Sequence, residues 1–237
     1  PLNPANLQEL QTKVIVEDAA FGVAFDGDAD RACFVDENGA IIPPDLLIGP
    51  LALPYMRAGS QVPILYDVRS SWAVRDFIEL ESGLGIVWKV GHAFMKPKMA
   101  ELAAPFGGEL AGHYYFGDMN GSESSARVVI ELANLLESSG KSLSQLIAPL
   151  RAYANSGEIN LPLPNREVIP AILQNLRDSF PGIQHDLDGL TVEFPDWWFN
   201  VRASNTEPLL RLLVEALNPE ILQVRKADVL TCINERA

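Results

Sequence analysis

Three carboxylates stand one residue apart in Asp26-Gly27-Asp28-Ala29-Asp30. That spacing lets a curled loop turn all three toward one hard cation, with Gly27 relieving backbone crowding. Magnesium is the natural guest, because it needs only a few protein carboxylates and keeps positions for water or a phosphate oxygen. Calcium in an EF-hand is the competing chemistry, since Asp26, Asp28, Asp30 and Glu37 fall at positions one, three, five and twelve of such a loop. Arg31 occupies the sixth position, where the sharp turn demands glycine, and the flanks read as strands, so the EF-hand reading fails. Solvated surface aspartates are the bland alternative. Against them, the loop directly follows a compact apolar run read as a buried, parallel-type strand, where α/β folds bind ligands.

Gly108-Glu109-Leu110-Ala111-Gly112-His113 sets a carboxylate and an imidazole four residues apart, among glycines that let a ligand approach the backbone. These groups suit sugar hydroxyls and a proton shuttle, whereas a lone His113 would read as a satisfied, partly buried side chain. Lys89-Val90-Gly91-His92 follows a strand end, and Arg69 closes the strand Tyr66-Asp67-Val68. Either cation would otherwise be a solvated strand-end charge. Arg202-Ala203-Ser204-Asn205-Thr206-Glu207-Pro208 gathers a guanidinium, two hydroxyls, an amide and backbone N–H groups in one loop. Such a set suits an anion, and arginine can grip two phosphate oxygens at once. A polar hairpin turn accounts for the small residues there but not for the arginine beside them.

The elements that must position these loops follow from periodicity. Asn6 reads as an N-cap for a helix carrying Leu7, Leu10 and Val14, followed by strands over 21–25 and 32–35, a tight Asn38-Gly39 turn and a returning strand over 40–42. Helix over 45–56, strand over 62–68, helix over 71–80 and strand over 86–90 alternate as in a parallel α/β sheet. Helices are expected over 95–104, 125–137 and 143–153, with a Gly-punctuated strand and loop over 107–112. Asn155-Ser156-Gly157 and Leu161-Pro162-Leu163-Pro164 mark a change in composition, so a domain boundary is set near residue 155. Beyond it come helix over 166–179, strands over 190–194, 198–202 and 209–217, and helix over 220–235, an α+β layer.

At 237 residues there is room for about two domains. A net charge of −13 argues against a protein whose business is nucleic acid, which needs clustered Lys and Arg. The two cysteines, Cys33 and Cys232, lack metal-ligand spacing and fit a reducing, cytoplasmic setting. No apolar run reaches the ~20 residues of a membrane span, and Pro1-Leu2-Asn3-Pro4 has no basic region followed by an apolar stretch, the pattern expected of a signal peptide. It begins at Pro1, without Met, and a missing upstream portion is expected.

Phe25 to Arg31 resembles the metal loop of the α-D-phosphohexomutase superfamily, the phosphomannomutase/phosphoglucomutase type. Gly108 to His113 resembles its sugar loop, and Trp198 to Pro208 its phosphate loop, in the same order along the chain. The resemblance implies an α/β fold: a remnant of mutase domain II over 1–44, domain III over 45–154 and an α+β domain IV over 155–237. It implies magnesium on Asp26, Asp28 and Asp30, and catalytic roles for His113, Arg31 and Lys89. Substrate contacts fall to Arg69, His92, Glu109, Ala111, Arg202, Ser204, Asn205 and Thr206. Ala111 departs from the serine that many members carry, which removes one hydroxyl contact. The implied reaction moves a phosphoryl group between C6 and C1 of a hexose through a bisphosphorylated intermediate, and it requires a mobile last domain. No Thr-x-Ser-His-Asn-Pro segment, which carries the phosphoserine in this family, occurs in the sequence. The N-terminal domains are therefore expected as partners, and the chain alone is expected to be inert or nearly so. A non-catalytic phosphosugar-binding module is the alternative.

Overall fold

A computed structural model describes residues 3–204 and 207–236. Two compact units divide the chain, Pro1–Arg151 and Ala152–Ala237. The break precedes Ala154–Asn155 because that short strand already pairs with the sheet of the second unit.

In the first unit a 3-10 turn, Pro4–Leu7, leads into α1 (Gln8–Val16). Asn3 caps the 3-10 turn, accepting from the Ala5 amide at 3.1 Å, while α1 itself starts from Leu7 with no side-chain cap, so Asn6 is not the cap expected of it. Pro4 has no N–H to satisfy and a φ suited to a first turn, so the helical path starts early. Strands β1 (Phe21–Phe25), β2 (Ala32–Asp36) and β3 (Ile41–Ile42) form an antiparallel sheet in that order. Phe25 faces Ala32 across the first pair, so residues 26–31 are the connection of a hairpin. The expectation of a parallel-type strand before the acidic loop is thereby corrected: a parallel crossover needs a dozen or more residues, and only six intervene. β1 is also only partly buried, whereas every residue of β2 is buried.

After a 3-10 turn (Pro44–Leu47) come α2 (Ile48–Arg57), β4 (Pro63–Asp67), α3 (Trp72–Leu80), β5 (Leu84–Trp88), α4 (His92–Leu102), β6 (Phe106–Gly108), β7 (Tyr114–Phe116) and β8 (Ser122–Glu123). The sheet runs β5-β4-β6-β7-β8, parallel across β5, β4 and β6 and antiparallel beyond. The carboxyl ends of the three parallel strands deliver Arg69, Lys89 and Glu109, the side where open α/β sheets bind ligands. Helix α5 (Ser125–Ser139) carries a Ser124 N-cap, and α6 (Leu143–Ile147) a Ser142 capping box. The latter gives way to a 3-10 turn at Ala148–Leu150 instead of continuing to Tyr153. Pro149 cannot donate a helical hydrogen bond and crowds the preceding turn.

The second unit contains β9 (Ala154–Asn155), β10 (Ile159–Pro162), α7 (Ile169–Ser179), β11 (Ile183–His185), β12 (Leu190–Glu193), β13 (Trp197–Ala203), β14 (Leu209–Ala216) and α8 (Pro219–Asn234). Its antiparallel sheet runs β10-β14-β13-β12-β11, with β9 also on β14. Side chains alternate across a strand, so Trp197, Phe199 and Val201 on β13 and Leu210, Leu212 and Val214 on β14 share one face. They form the core with Ile172 and Leu176 of α7 and Val229 and Ile233 of α8. By the same alternation Trp198, Asn200, Arg202 and their partners Glu215, Leu213 and Arg211 fall on the opposite face. Helix α7 starts at Ile169 rather than at Arg166, since Pro170 is tolerated only in a first turn.

Glu37 ties the first sheet to the start of α6. Its carboxylate accepts from the Ser144 amide at 3.1 Å and from the Ser144 hydroxyl. Burial alone would raise its pKa, but the Ser142 and Ser144 hydroxyls and the Ser144 amide hold it down at about 2. The folded value lies below the ~4.3 of an unfolded chain, so this stabilisation is present above about pH 4.3 and is lost as pH falls toward 2. Glu37→Gln is expected to cost about 1 kcal/mol at neutral pH and to flatten the acid limb of stability. Urea denaturation at several pH values measures both. A variant that loses stability on acidification as steeply as the parent contradicts the assignment.

Candidate functional site

The hairpin connection brings one carboxylate oxygen each of Asp26, Asp28 and Asp30 within 4.8 Å of one another. Ala29 makes the turn with φ 58°, and its amide donates to the Asp26 carbonyl at 3.2 Å. Arg31 clamps the start of the loop: its amide and its Nε donate to the two oxygens of Asp26 at 3.1 and 2.5 Å. Burial pushes the Asp26 pKa up, but the hydrogen bonds and charge of Arg31 overcome it and hold the group at about 2. Asp30 is pushed up, first by burial and then by the neighbouring Asp26 and Asp28 charges, against the pull of His113. Asp28 is exposed, and among the described residues nothing donates a hydrogen bond to it. A divalent cation fits this donor set: three oxygens of like charge converge, the single guanidinium of Arg31 serves Asp26 at 2.5 Å and Asp30 only at 3.7 Å, and hard oxygen ligands are what magnesium or calcium takes.

The acidic loop and the Gly108–His113 loop meet at the backbone. The Ala32 amide, just past the aspartates, donates to the Gly112 carbonyl at 3.0 Å. Gly112 is needed there: its φ is +90°, and an added Cβ would lie 2.8 Å from the Ala32 oxygen. His113 follows, its Nδ1 3.7 Å from Asp30 Oδ2 and its ring stacked on Tyr115. Burial pulls the His113 pKa below its ordinary value despite Asp30, so the imidazole is neutral at neutral pH and able to accept a proton.

Glu109 is 1% exposed and is the hub of the parallel strand ends. Oε1 accepts from the Tyr115 hydroxyl and Oε2 from the Gly91 amide at 3.1 Å, which links the Lys89–His92 segment to the same carboxylate. The guanidinium of Arg69 stands 3.6 Å from Glu109 and 2.7 Å from Asp67. Asp67 in turn accepts from the Leu110 amide at 2.9 Å. Burial, then the Asp67 charge, push the Glu109 pKa up to about 7, opposed by Tyr115, Arg69 and Gly91. Arg69 is thus not a solvated strand-end charge; it is buried between two carboxylates. Ala111 is half-buried at the loop tip.

Lys89 and His92 lie at the rim. Lys89 Nζ sits 5.6 Å from the Phe94 ring centre, and His92 is exposed with Nδ1 3.6 Å from Glu123. In the second unit Arg202 is buried at the end of β13, and Ser204 accepts from the Glu207 amide at 3.3 Å. Asn205 and Thr206, singled out with them in the sequence, lie outside the described residues. Sequence reasoning missed Arg211, which β14 sets opposite Arg202, and Glu158, which contacts both. It also missed Asp67 and Tyr115 as the partners of Arg69 and Glu109. Period-two alternation along the two strands could have put Arg211 on the Arg202 face once their register was known.

Residues 45–153 match the family model described as phosphoglucomutase/phosphomannomutase, alpha/beta/alpha domain III, and residues 158–231 match that of the C-terminal domain. A phosphomannomutase of Methanocaldococcus jannaschii is 34% identical over 94% of this chain and 49% of its own length. One from Escherichia coli is 34% identical over 99% of this chain and 52% of its own. The chain therefore spans about half the length of the curated relatives it matches. A Burkholderia thailandensis phosphoglucomutase/phosphomannomutase family protein superposes with a TM-score of 0.86 at 29% identity, over 100% of this chain and 51% of that one. An Aspergillus fumigatus N-acetylphosphoglucosamine mutase solved with GlcNAc-6P and magnesium shares the fold, with a TM-score of 0.67 at 11% identity over 89% of this chain and 51% of that one.

Because the folded pKa of Glu109, about 7, lies above the unfolded ~4.3, its contribution to stability is full below about pH 4.3 and lost as pH rises through 7. Glu109→Gln, uncharged throughout, is expected to remove that segment of the pH dependence. Denaturation midpoints from about pH 4 to pH 8 report it; a variant that follows the parent curve point by point contradicts the buried-carboxylate account.

Proposed function

Because the chain belongs to the phosphoglucomutase/phosphomannomutase family of α-D-phosphohexomutases, we propose that it supplies the metal, sugar and phosphate loops of an enzyme that interconverts hexose 6-phosphate and hexose 1-phosphate. A bisphosphorylated sugar is the proposed intermediate, and mannose the preferred hexose, a preference supported by the likeness to phosphomannomutases. The observation that carries the reading is the backbone bond from Ala32 to Gly112, which brings the loop of three convergent aspartates beside His113.

In this reading Asp26, Asp28 and Asp30 hold magnesium, which when bound neutralises charge on a phosphoryl oxygen. Arg31 keeps Asp26 ionised and the loop curled. His113 accepts a proton from a sugar hydroxyl, with Asp30 beside its Nδ1 to favour the imidazolium that forms. Glu109 reads hydroxyls with the lone pairs that Tyr115 and Gly91 leave, while Arg69 balances its charge. Ala111 offers no hydroxyl of its own. Lys89 and His92 meet the charged end of the substrate at the rim. Arg202, Ser204, Asn205 and Thr206 clamp the phosphate that does not react. The activity belongs to the whole protein. The 237 residues alone are proposed to bind hexose phosphate without converting it, since the sequence has no Thr-x-Ser-His-Asn-Pro segment.

Magnesium titrated into the chain by calorimetry is expected to bind, and more tightly when mannose 6-phosphate is present. Asp28→Asn is expected to weaken magnesium at least tenfold while leaving the metal-free Tm unchanged or slightly raised, because Asp28 is exposed, supports no other group and repels Asp30. Equal affinity in the variant contradicts the metal assignment, and steady conversion of mannose 1-phosphate by the purified chain contradicts its proposed inertness.

A further inference from the structure

β13 and β14 place Arg202 directly opposite Arg211. Like charges so placed repel, and the repulsion is only partly screened here, because Arg202 is 6% exposed although the Arg211 side chain is half-buried. Glu158, one residue before β10 on the far side of β14, answers both. Its Oε2 accepts from Arg202 Nη2 at 3.0 Å, and its Oε1 from Arg211 Nη1 at 3.2 Å. Two guanidinium groups less one carboxylate leave the cluster with a charge of +1.

The match is incomplete in a particular way. The Nε atoms of Arg202 and Arg211 are both buried, and among the described residues neither has a hydrogen-bond partner. On Arg202 the Nε–H shares an edge with Nη2, the fork that suits two oxygens of one oxyanion, and Glu158 takes only half of it. On Arg211 Glu158 takes Nη1 and leaves the whole Nε edge. Buried donors left in this state are destabilising, so the pair is arranged for an anion with more oxygens than a carboxylate offers. Ser204 stands two residues along from Arg202, at the head of the loop assigned to phosphate.

We propose that Glu158 is the resident counterion of the phosphate loop. It holds the two arginines side by side until a phosphate arrives, then yields its contacts to phosphate oxygens, and so sets how tightly the loop grips and how readily it releases a hexose phosphate. This rests on the reading of residues 202–208 as a phosphate loop. The charge argument fixes the sign: a phosphate dianion meets +1 with Glu158 present and +2 without it, so removing the carboxylate strengthens phosphate binding while weakening the ligand-free fold. A purely scaffolding glutamate would instead weaken both.

The test is calorimetric titration of inorganic phosphate into the full 237-residue chain and its Glu158→Gln variant at one pH and ionic strength, with Tm measured for each. The variant is expected to bind phosphate about tenfold more tightly, to melt lower without phosphate, and to recover most of that difference at saturation. Phosphate binding that is unchanged or weaker in the variant overturns the counterion role while leaving the phosphate loop intact. Absence of binding to both proteins overturns the loop assignment and the proposal with it. Should the variant fail to fold, the parent decides: on titration with phosphate the Glu158 carboxyl carbon and the Nε–H signals of Arg202 and Arg211 are expected to move together in NMR spectra. A stationary Glu158 signal during a saturating titration overturns the proposal.

Discussion

Three carboxylates held within 4.8 Å of one another repel, and the first unit is arranged around containing that repulsion. Arg31 pairs closely with Asp26 and more distantly with Asp30, and a tight hairpin with Ala29 at positive φ holds the three in one loop. His113 is brought to the third by the bond between Ala32 and Gly112. Burial, and after it the neighbouring Asp26 and Asp28 charges, make Asp30 hold its proton more firmly than an ordinary aspartate, against the pull of His113. The same logic recurs at the strand ends, where Glu109 and Asp67 share Arg69 in a site nearly closed to water. There burial, and after it the Asp67 charge, raise the Glu109 pKa to about 7.

The second unit inverts the sign. Two arginines face each other across a sheet with one glutamate between them, so the excess is positive and its natural relief is an oxyanion. In both units the packing that stabilises the fold also concentrates incompletely compensated charge at a strand end, which suits a ligand of opposite charge. The hydrophobic layers, Trp197 and Phe199 against α7 and α8 in one case and Tyr115 with Met95 and Met99 in the other, hold those charges at fixed distances. Binding chemistry and stability are therefore coupled through the same side chains.

Much of this was legible because the chemistry is local. The aspartates at alternate positions, the Gly-flanked Glu109 and His113, and the arginine leading a run of small polar residues each sit within one loop, so spacing alone pointed to cation, sugar and anion. Most element positions were legible to within a few residues from apolar periodicity and turn residues. The features that escaped are set by register and burial. Arg211 and Glu158 reach Arg202 from other strands, with 44 residues separating Glu158 from Arg202. Tyr115 meets Glu109 only because β6 and β7 pair as they do. The direction of β1 escaped because an apolar pentapeptide reads the same in either orientation; the short connection to Ala32 was the available clue. Strand β11 was missed because Ile183–His185 is too short to show a period.

Manganese tests the central claim most directly, because it takes oxygen ligands as magnesium does and broadens the NMR signals of nuclei near it. Substoichiometric manganese added to the isotope-labelled chain is expected to erase the signals of Asp26, Asp28, Asp30, Gly112 and His113 first and to leave those around Glu37 sharp. Broadening spread evenly over the acidic surface, with the amides of Gly112 and His113 unaffected, would contradict a single cation centre shared by the two loops.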